Sequence, residues 1–404
     1  MNRPLIFKSR NTNTTIEYQM LKAFKYRIYP NSSQQEELAR AFGSCRFLYN
    51  KALEYKKLIY ESEKKSVSYN DLATVFFKDL KEEFDWLKET PSQALQQSLK
   101  HLDSAYQNFF KKQSKFPSFK RKFSRQSFSI PQFVKVNFKD SIIRLPKIGN
   151  IKTVFHRTFE GIIKTCTVSK TPTNKYYISI LVDDNKELPN KVTGDKAIGI
   201  DLGIKSFATF SNGEKVDNPK FYDRSLNKLK ALQTSLSRKI KGSANYRKLK
   251  LKLAILHEKI CNRRDNFLHQ LSKKIINDNQ VIITEDLAVQ TLMEKSYSSM
   301  SRNIGDVSWS KFVTMLKYKA EWNGKRLVQI GRYDPSSKKC SGCGNIYYDL
   351  KLEERTWICD KCGKEHDRDV NAAVNILQFG MEQAELKCLD ARRAERKPTG
   401  SSCG

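Results

Sequence analysis

Residues 340–373 read CSGCGNIYYDLKLEERTWICDKCGKEHDRDVNAA, a four-cysteine pattern that runs into the acidic start of a helix. Cys340 and Cys343 form one C-x-x-C and Cys359 and Cys362 the second, with fifteen residues between the pairs. Two such turns supply the four soft ligands that Zn²⁺ takes in a tetrahedron, so the expected site is structural, closed to water, with His366 left outside it. Asp367 and Asp369 follow within one turn's reach, and a metal-clamped knuckle would deliver their carboxylates to a fixed place. A zinc knuckle alone is silent about function. One that positions an acid in a strongly basic chain points to nucleic-acid chemistry.

Upstream, residues 281–287 (VIITEDL) form an apolar strand ending on Glu285, with Asp286 beside it. Residues 195–210 (DKAIGIDLGIKSFATF) read as two strands joined by a tight glycine-containing turn, and Asp201 interrupts the first of them. Burying a carboxylate there without a partner costs several kcal/mol. Each acid has a plain alternative: Asp201 as an arginine's ion-pair partner, Glu285 as an exposed strand end, Asp369 as a helix N-cap. Taken together, on two strands and a helix of one α/β region, Asp201, Glu285 and Asp369 read as a cage for divalent metal. Mg²⁺ prefers hard oxygen ligands, and two such ions ~4 Å apart activate water and stabilise the leaving oxygen in phosphodiester hydrolysis.

The charge balance points the same way. The 404-residue chain carries 74 Lys+Arg against 43 Asp+Glu, a net charge of +31. A polyanion neutralises such self-repulsion, and phosphate backbones do so with release of counterions. No run of ~18 apolar residues is available to span a bilayer, and residues 1–20 (MNRPLIFKSRNTNTTIEYQM) lack the apolar core of a signal peptide. Cys45, Cys166, Cys261, Cys388 and Cys403 are scattered, which suits a reducing cytoplasm.

Residues 1–19 are polar and are expected to form a disordered leader, with Met20 as the functional start. Residues 21–29 (LKAFKYRIY) alternate as a strand ended by Pro30. Helices are expected over 32–110, the best marked beginning at Thr90-Pro91-Ser92-Gln93, with Thr90 as cap and Gln93 closing a capping box. In residues 111–128 (KKQSKFPSFKRKFSRQSF) cations alternate with phenylalanines around Pro117. That stretch suits either a loop tracking a nucleic-acid backbone or a solvated linker whose rings plug a neighbouring core. Short β-runs from 133 to 184, with the strand at 21–29, are expected to close a small barrel into which the helices insert. Basic helices over 221–240 and 245–277 place Leu229, Leu232, Leu236 and Ile240 against Leu249, Leu253, Leu256 and Ile260 in an antiparallel hairpin. Residues 326–331 make one more strand. The chain beyond Gly380 is expected to be a flexible tail, disordered after about Arg393.

At these residues the chain resembles the transposon-encoded TnpB (OrfB) family, related to the type V CRISPR nucleases, from Met20 to about Gly380. The resemblance is carried by KAFKYRIYPNSSQQEELARAFGSCRFLYNKAL, PSQALQQSLKHLDSAYQNFF, IGIDLGIKSFAT, NRRDNFLHQLS, VIITEDL, SSKKCSGCG and HDRDVNAAVNIL. The block from the cysteines to NAAVNIL is specific, whereas IGIDLG is shared with sugar-kinase-like folds.

The resemblance implies a multidomain α+β protein. Its RNase H-like (RuvC-type) nuclease domain (193–331 and 365–380) carries an inserted four-cysteine zinc ribbon (332–364). A β-barrel wedge domain (20–31 and 119–192) carries a helical recognition insert (32–118), and 381–404 form the tail. The implied activity is RNA-guided cutting of double- or single-stranded DNA beside a short flanking motif. The implied setting is the cytoplasm of a prokaryotic cell, as a monomer or weak dimer with a guide RNA from the transposon end. The family's catalytic acids fall on Asp201, Glu285 and Asp369, holding two Mg²⁺, while Cys340, Cys343, Cys359 and Cys362 hold one structural Zn²⁺. Position alone makes Tyr49, Asn50, Arg125, Gln126 and Ser127 the candidates for reading the flanking motif, and Lys120, Arg121 and Lys122 are further candidate nucleic-acid contacts. Arg264 matches a basic position facing the scissile strand, with a salt bridge to Asp265 or Glu258 as its alternative use. Three other readings stand beside the nuclease: an RNA-guided repressor that does not cut, a strand-transfer transposase, and a zinc-ribbon nucleic-acid-binding protein with structural acids.

Overall fold

A computed structural model describes residues 19–395, apart from 124, 188, 190–195, 333 and 352. The expected leader, up to residue 18, and the end of the expected tail, from 396, lie outside the described residues. The chain divides into two compact units, residues 1–187 and 188–404.

In the first unit, strand β1 (Gln19–Tyr29) leads into helix α1 (Ser32–Glu63). Asn31 and Gln34 exchange side-chain-to-backbone bonds there in a reciprocal capping box, which satisfies two otherwise orphaned amides. Ser68 and Asp71 do the same for α2 (Tyr69–Glu83). Helix α3 (Ser92–Phe110) departs from the expected start. Pro91 holds the cap position without a side-chain bond, and the Thr90 hydroxyl is spent on Ser44, 2.8 Å away in the core. Ala94, Leu95, Leu99 and Leu102 form its buried stripe, and α3 packs on α1.

Strands β2 (Gln126–Ile130), β3 (Lys135–Asn137), β4 (Ile142–Leu145), β5 (Gly149–Val154), β6 (Ile162–Lys170) and β7 (Tyr176–Glu187) complete the unit. With β1 they form one antiparallel sheet in the order β2-β6-β7-β1-β5-β4-β3. Among the described residues no ladder joins β2 to β3, so the barrel expected from the sequence is an open seven-stranded sheet. Strand β2 also starts inside the basic stretch read as loop or linker, because Phe128 and Ile130 are buried in the core.

The second unit is built on a five-stranded sheet, in which β8 (Ala197–Asp201), β9 (Ser206–Phe210) and β10 (Lys215–Asp217) are antiparallel neighbours. Helices α4 (Leu226–Ser237) and α5 (Ala244–Asp278) then lead to β11 (Val281–Glu285), parallel to β8. Helix α4 is shorter than the sequence suggested: Leu229 is buried, but Ile240 lies past its end and is exposed. Helices α6 (Val289–Lys295), α7 (Ser298–Val307) and α8 (Trp309–Trp322) return the chain to β12 (Arg326–Ile330), parallel to β11. The strand order is β10-β9-β8-β11-β12. Phe207 anchors one side of this layer, edge-on to both Phe267 and Phe312 at 5.0 Å.

After the cysteine segment, with its two short strands β13 (Thr356–Ile358) and β14 (Glu365–Asp367), helix α9 (Arg368–Glu395) packs onto β8, β11 and β12. It continues past Gly380, so 381–395 are helical rather than tail. The helix approaches the sheet closely at two glycines. A Cβ on Gly199 would lie 2.2 Å from the Ala373 carbonyl oxygen, and one on Gly380 would lie 2.2 Å from Ile283 Cγ2. No described helix is long and apolar enough to cross a membrane.

Candidate active site and metal centres

Parallel pairing sets the first two acids side by side. Thr284 faces Ile200 across the ladder, so Glu285 and Asp201 end adjacent strands at the same level. Asp369 stands in the first turn of α9, the helix that packs on β8. The three charges act on one another. Burial first, then Glu285 and Asp369, push the Asp201 carboxyl up to about 7, against the pull of Arg368 and Arg355. Burial also raises Glu285, opposed by a hydrogen bond that the Ser336 hydroxyl donates to its Oε1. A half-buried group of like charges is a donor set that a hard divalent cation relieves.

The neighbouring acids are otherwise engaged. Asp286 pairs with Arg332 at 3.0 Å. Burial opposes ionisation of Asp367, but Lys215 at 2.7 Å and the Val370 N–H, which donates to it, hold its carboxyl below the usual range. Asp367 is thus a capping and ion-pairing residue, and Asp369 is the one whose charge reaches Asp201. The acids are more spread than a single first shell: among the described residues only the four cysteines gather their ligand atoms within 4.8 Å. Asp369 leans toward Arg355, 3.3 Å away.

The cysteines fit zinc. Cys340 and Cys362 sulfurs are 3.7 Å apart and those of Cys343 and Cys359 3.6 Å, against the ~3.8 Å edge of a tetrahedron with 2.3 Å Zn–S bonds. Backbone amides of Cys362 and Lys361 help hold the Cys359 thiol down, to about 7. One expectation is corrected. The site is not closed to water, because Cys343 and Cys362, the outer cysteines of their turns, are exposed. His366 stands against this ligand set and not in it: it is buried, its ring 4.7 Å from Trp357 and its Nε2 3.0 Å from the Cys340 sulfur. Burial and Lys364 keep that imidazole's pKa below its ordinary value, which makes it a neutral partner to a ligand sulfur.

Arg264 is committed elsewhere than the sequence suggested. Its guanidinium is 2.7 Å from Asp306 and 3.3 Å from the Ser308 hydroxyl, while Asp265 pairs with Lys311. Asp306 also accepts from the Tyr222 amide, so the arginine joins α5 to the α7–α8 corner.

In the first unit the structure brings the remaining candidates together. Tyr49 is buried with the Lys120 ammonium 3.8 Å above its ring, and Asn50 bonds both the N–H and the carbonyl of Lys120. These two residues hold the basic segment in place. Arg121, Lys122, Arg125 and Ser127 are exposed. A cavity of about 260 Å³ is lined by Lys120, Arg121, Arg125, Gln126 and Ser127 with Phe42, Cys45 and Arg46. Arg46, which carried no signal in the sequence, also lines a second cavity of about 390 Å³ with Asn50, Lys51 and Phe119, and donates to Gln126 at 3.3 Å.

Residues 165–296 match the OrfB_IS605 "Probable transposase" family, 309–376 the Cas12f1-like TNB domain, and 20–65 a helix-turn-helix domain. The last range covers β1 from its second residue and the single long helix α1. A protein of Streptomyces pristinaespiralis named "Putative RNA-guided DNA endonuclease" is 40% identical over 383 residues, covering 94% of each chain. Its Escherichia coli K12 counterpart InsQ, of the same description, is 34% identical and covers 91% of this chain and 94% of its own. The chain belongs to the transposon-encoded TnpB (OrfB) family. Among solved structures, a Cas12f1–sgRNA–target DNA complex aligns with 89% of this chain and 98% of its own at 14% identity, TM-score 0.49.

Proposed function

We propose that this protein is an RNA-guided DNA endonuclease. Its second unit is an RNase H-like, RuvC-type nuclease domain with an inserted zinc ribbon, and its first unit is a wedge sheet with a helical recognition insert. The observation that carries this reading is the convergence of three separately encoded carboxylates, Asp201, Glu285 and Asp369, at one end of one sheet in a chain of net charge +31. These acids would hold two Mg²⁺, which supply an activated water and a stabilised leaving oxygen for in-line phosphodiester hydrolysis.

The chain's other residues bind and orient. Lys120, held by Tyr49 and Asn50, neutralises the nucleic-acid backbone with Arg121 and Lys122, and Arg125, Gln126 and Ser127 face the short flanking motif. Guide–target pairing reads the remaining sequence. Such a protein works in the cytoplasm of a prokaryotic cell, on a guide RNA from its own transposon end.

The test is cleavage of guide-matched DNA by purified protein with and without Mg²⁺. Asp201→Ala is expected to bind guide and target and to leave the DNA intact; cutting at the parent rate sinks the cage assignment. Sequencing the RNA that co-purifies separates a guided enzyme from a general polyanion binder, since the former carries one defined transposon-end RNA.

A further inference from the structure

We infer that Ser336 is a positioning residue for Glu285, and that α9 ties it to the zinc ligands through Asn371 and Asn375. The inference rests on the reading of Glu285 as a metal ligand. Glu285 ends its strand, where its side chain has several rotatable bonds and no ladder partner to orient it on the β8 side. The Ser336 hydroxyl donates to its Oε1, and Ser336 is only 5% exposed. One donor on Oε1 turns Oε2 to a fixed side, which is what a metal ligand requires of its supporting shell.

The serine is itself held. Its N–H donates to the Asp334 carbonyl at 2.7 Å, and its carbonyl accepts from Asn375 Nδ2 at 2.7 Å. The same Nδ2 reaches the Lys339 carbonyl at 2.6 Å, where Asn371 Nδ2 also donates at 2.8 Å. Asn371 Oδ1 accepts the Ser341 amide at 2.9 Å. Both asparagines are buried, one helical turn apart, and Asn375 Oδ1 has no hydrogen-bond partner. A helix needing only to pack on the sheet gains nothing from two buried amides, one of them under-satisfied. They pin residues 336–341, with the ligand Cys340 inside, to the helix whose first turn carries Asp369. Zinc ligand, Glu285 orientation and Asp369 placement thus share one rigid element.

The experiment titrates Mn²⁺ into the full chain, zinc-loaded and freed of co-purifying RNA, and follows free Mn²⁺ by electron paramagnetic resonance with zinc content measured alongside. Ser336→Ala is expected to weaken Mn²⁺ binding about tenfold, at the low end for lost outer-shell partners, with zinc content unchanged. Ser336→Thr, which keeps the hydroxyl, is expected to bind as the parent does. Parent-like Mn²⁺ binding by Ser336→Ala, beside an Asp201→Ala control that has lost it, overturns the inference and leaves the cage standing. Parent-like binding by Asp201→Ala overturns the cage and the inference with it. Should the alanine variant lose zinc, the isosteric pair Ser336→Thr and Ser336→Val decides: tighter binding by threonine supports the role, and equal binding removes it.

Discussion

Replacing Asp201 by asparagine is expected to stabilise the magnesium-free protein while abolishing its cutting. The carboxyl is pushed from an ordinary 3.8 to about 7 by burial and by Glu285 and Asp369. The folded state therefore holds this proton more tightly than the unfolded chain does. Ionising the group costs stability that is lost as pH rises from about 4 through 7. At pH 8 the whole shift counts, on the order of 4 kcal/mol, and at pH 5 the penalty is less than half of that. Asparagine keeps the shape without the charge, but its amide hydrogens need partners, so a net gain of about 2 kcal/mol is the working figure at pH 8. For a unit of this size that is a rise of roughly 5 °C in melting temperature. The assay is thermal melting of parent and Asp201→Asn with zinc retained and Mg²⁺ omitted, at pH 8 and pH 5, then with Mg²⁺ added. The gap should shrink at pH 5, and Mg²⁺ should stabilise the parent alone. Equal melting temperatures at pH 8, or a gap that ignores both pH and Mg²⁺, would refute the idea that these acids form a strained, cation-seeking group.

Other substitutions probe the supporting structure. Cys359→Ser is expected to lose the zinc, seen as metal stoichiometry falling to zero and as a shift in the emission of Trp357, which stacks 5.6 Å from Tyr347 and abuts His366. Gly199→Ala puts a methyl 2.2 Å from the Ala373 carbonyl oxygen and is expected to cost about 1–3 kcal/mol by denaturant unfolding; a neutral result would mean that α9 does not sit tightly on β8. Removing Lys120, Arg121 and Lys122 together is expected to lower the log–log salt slope of nucleic-acid binding by about 2–3. An unchanged slope would place the backbone contacts elsewhere.

Some of this was legible because the signals are local. The cysteine spacing encodes its own tetrahedron, and an acid inside an apolar run, as at Asp201, is an anomaly visible without any partner. The strands around Asp201 and Glu285 and the long helices after Ser32 follow from short-range periodicity. Caps were legible only in part: Thr90 has the right chemistry for a helix start, but the core competed for its hydroxyl through Ser44. Arg264 illustrates the same limit, since its partner Asp306 lies 42 residues along the chain rather than next door.

The sequence by itself determined which atoms are available: four sulfurs at zinc spacing, carboxylates ending or interrupting two apolar strands and opening a helix, and a large positive charge. Tertiary structure decided which of them meet. Parallel pairing of β8 with β11 brings Asp201 level with Glu285 across 84 residues of chain, and α9, let in by Gly199 and Gly380, carries Asp369 to them while Asp367 is diverted to Lys215. It also set His366 against the Cys340 sulfur and Ser336 on Glu285 from 51 residues away. Hydrogen bonds and charge couplings fall off within a few ångströms. Only the packed fold determines which distant residues come that close.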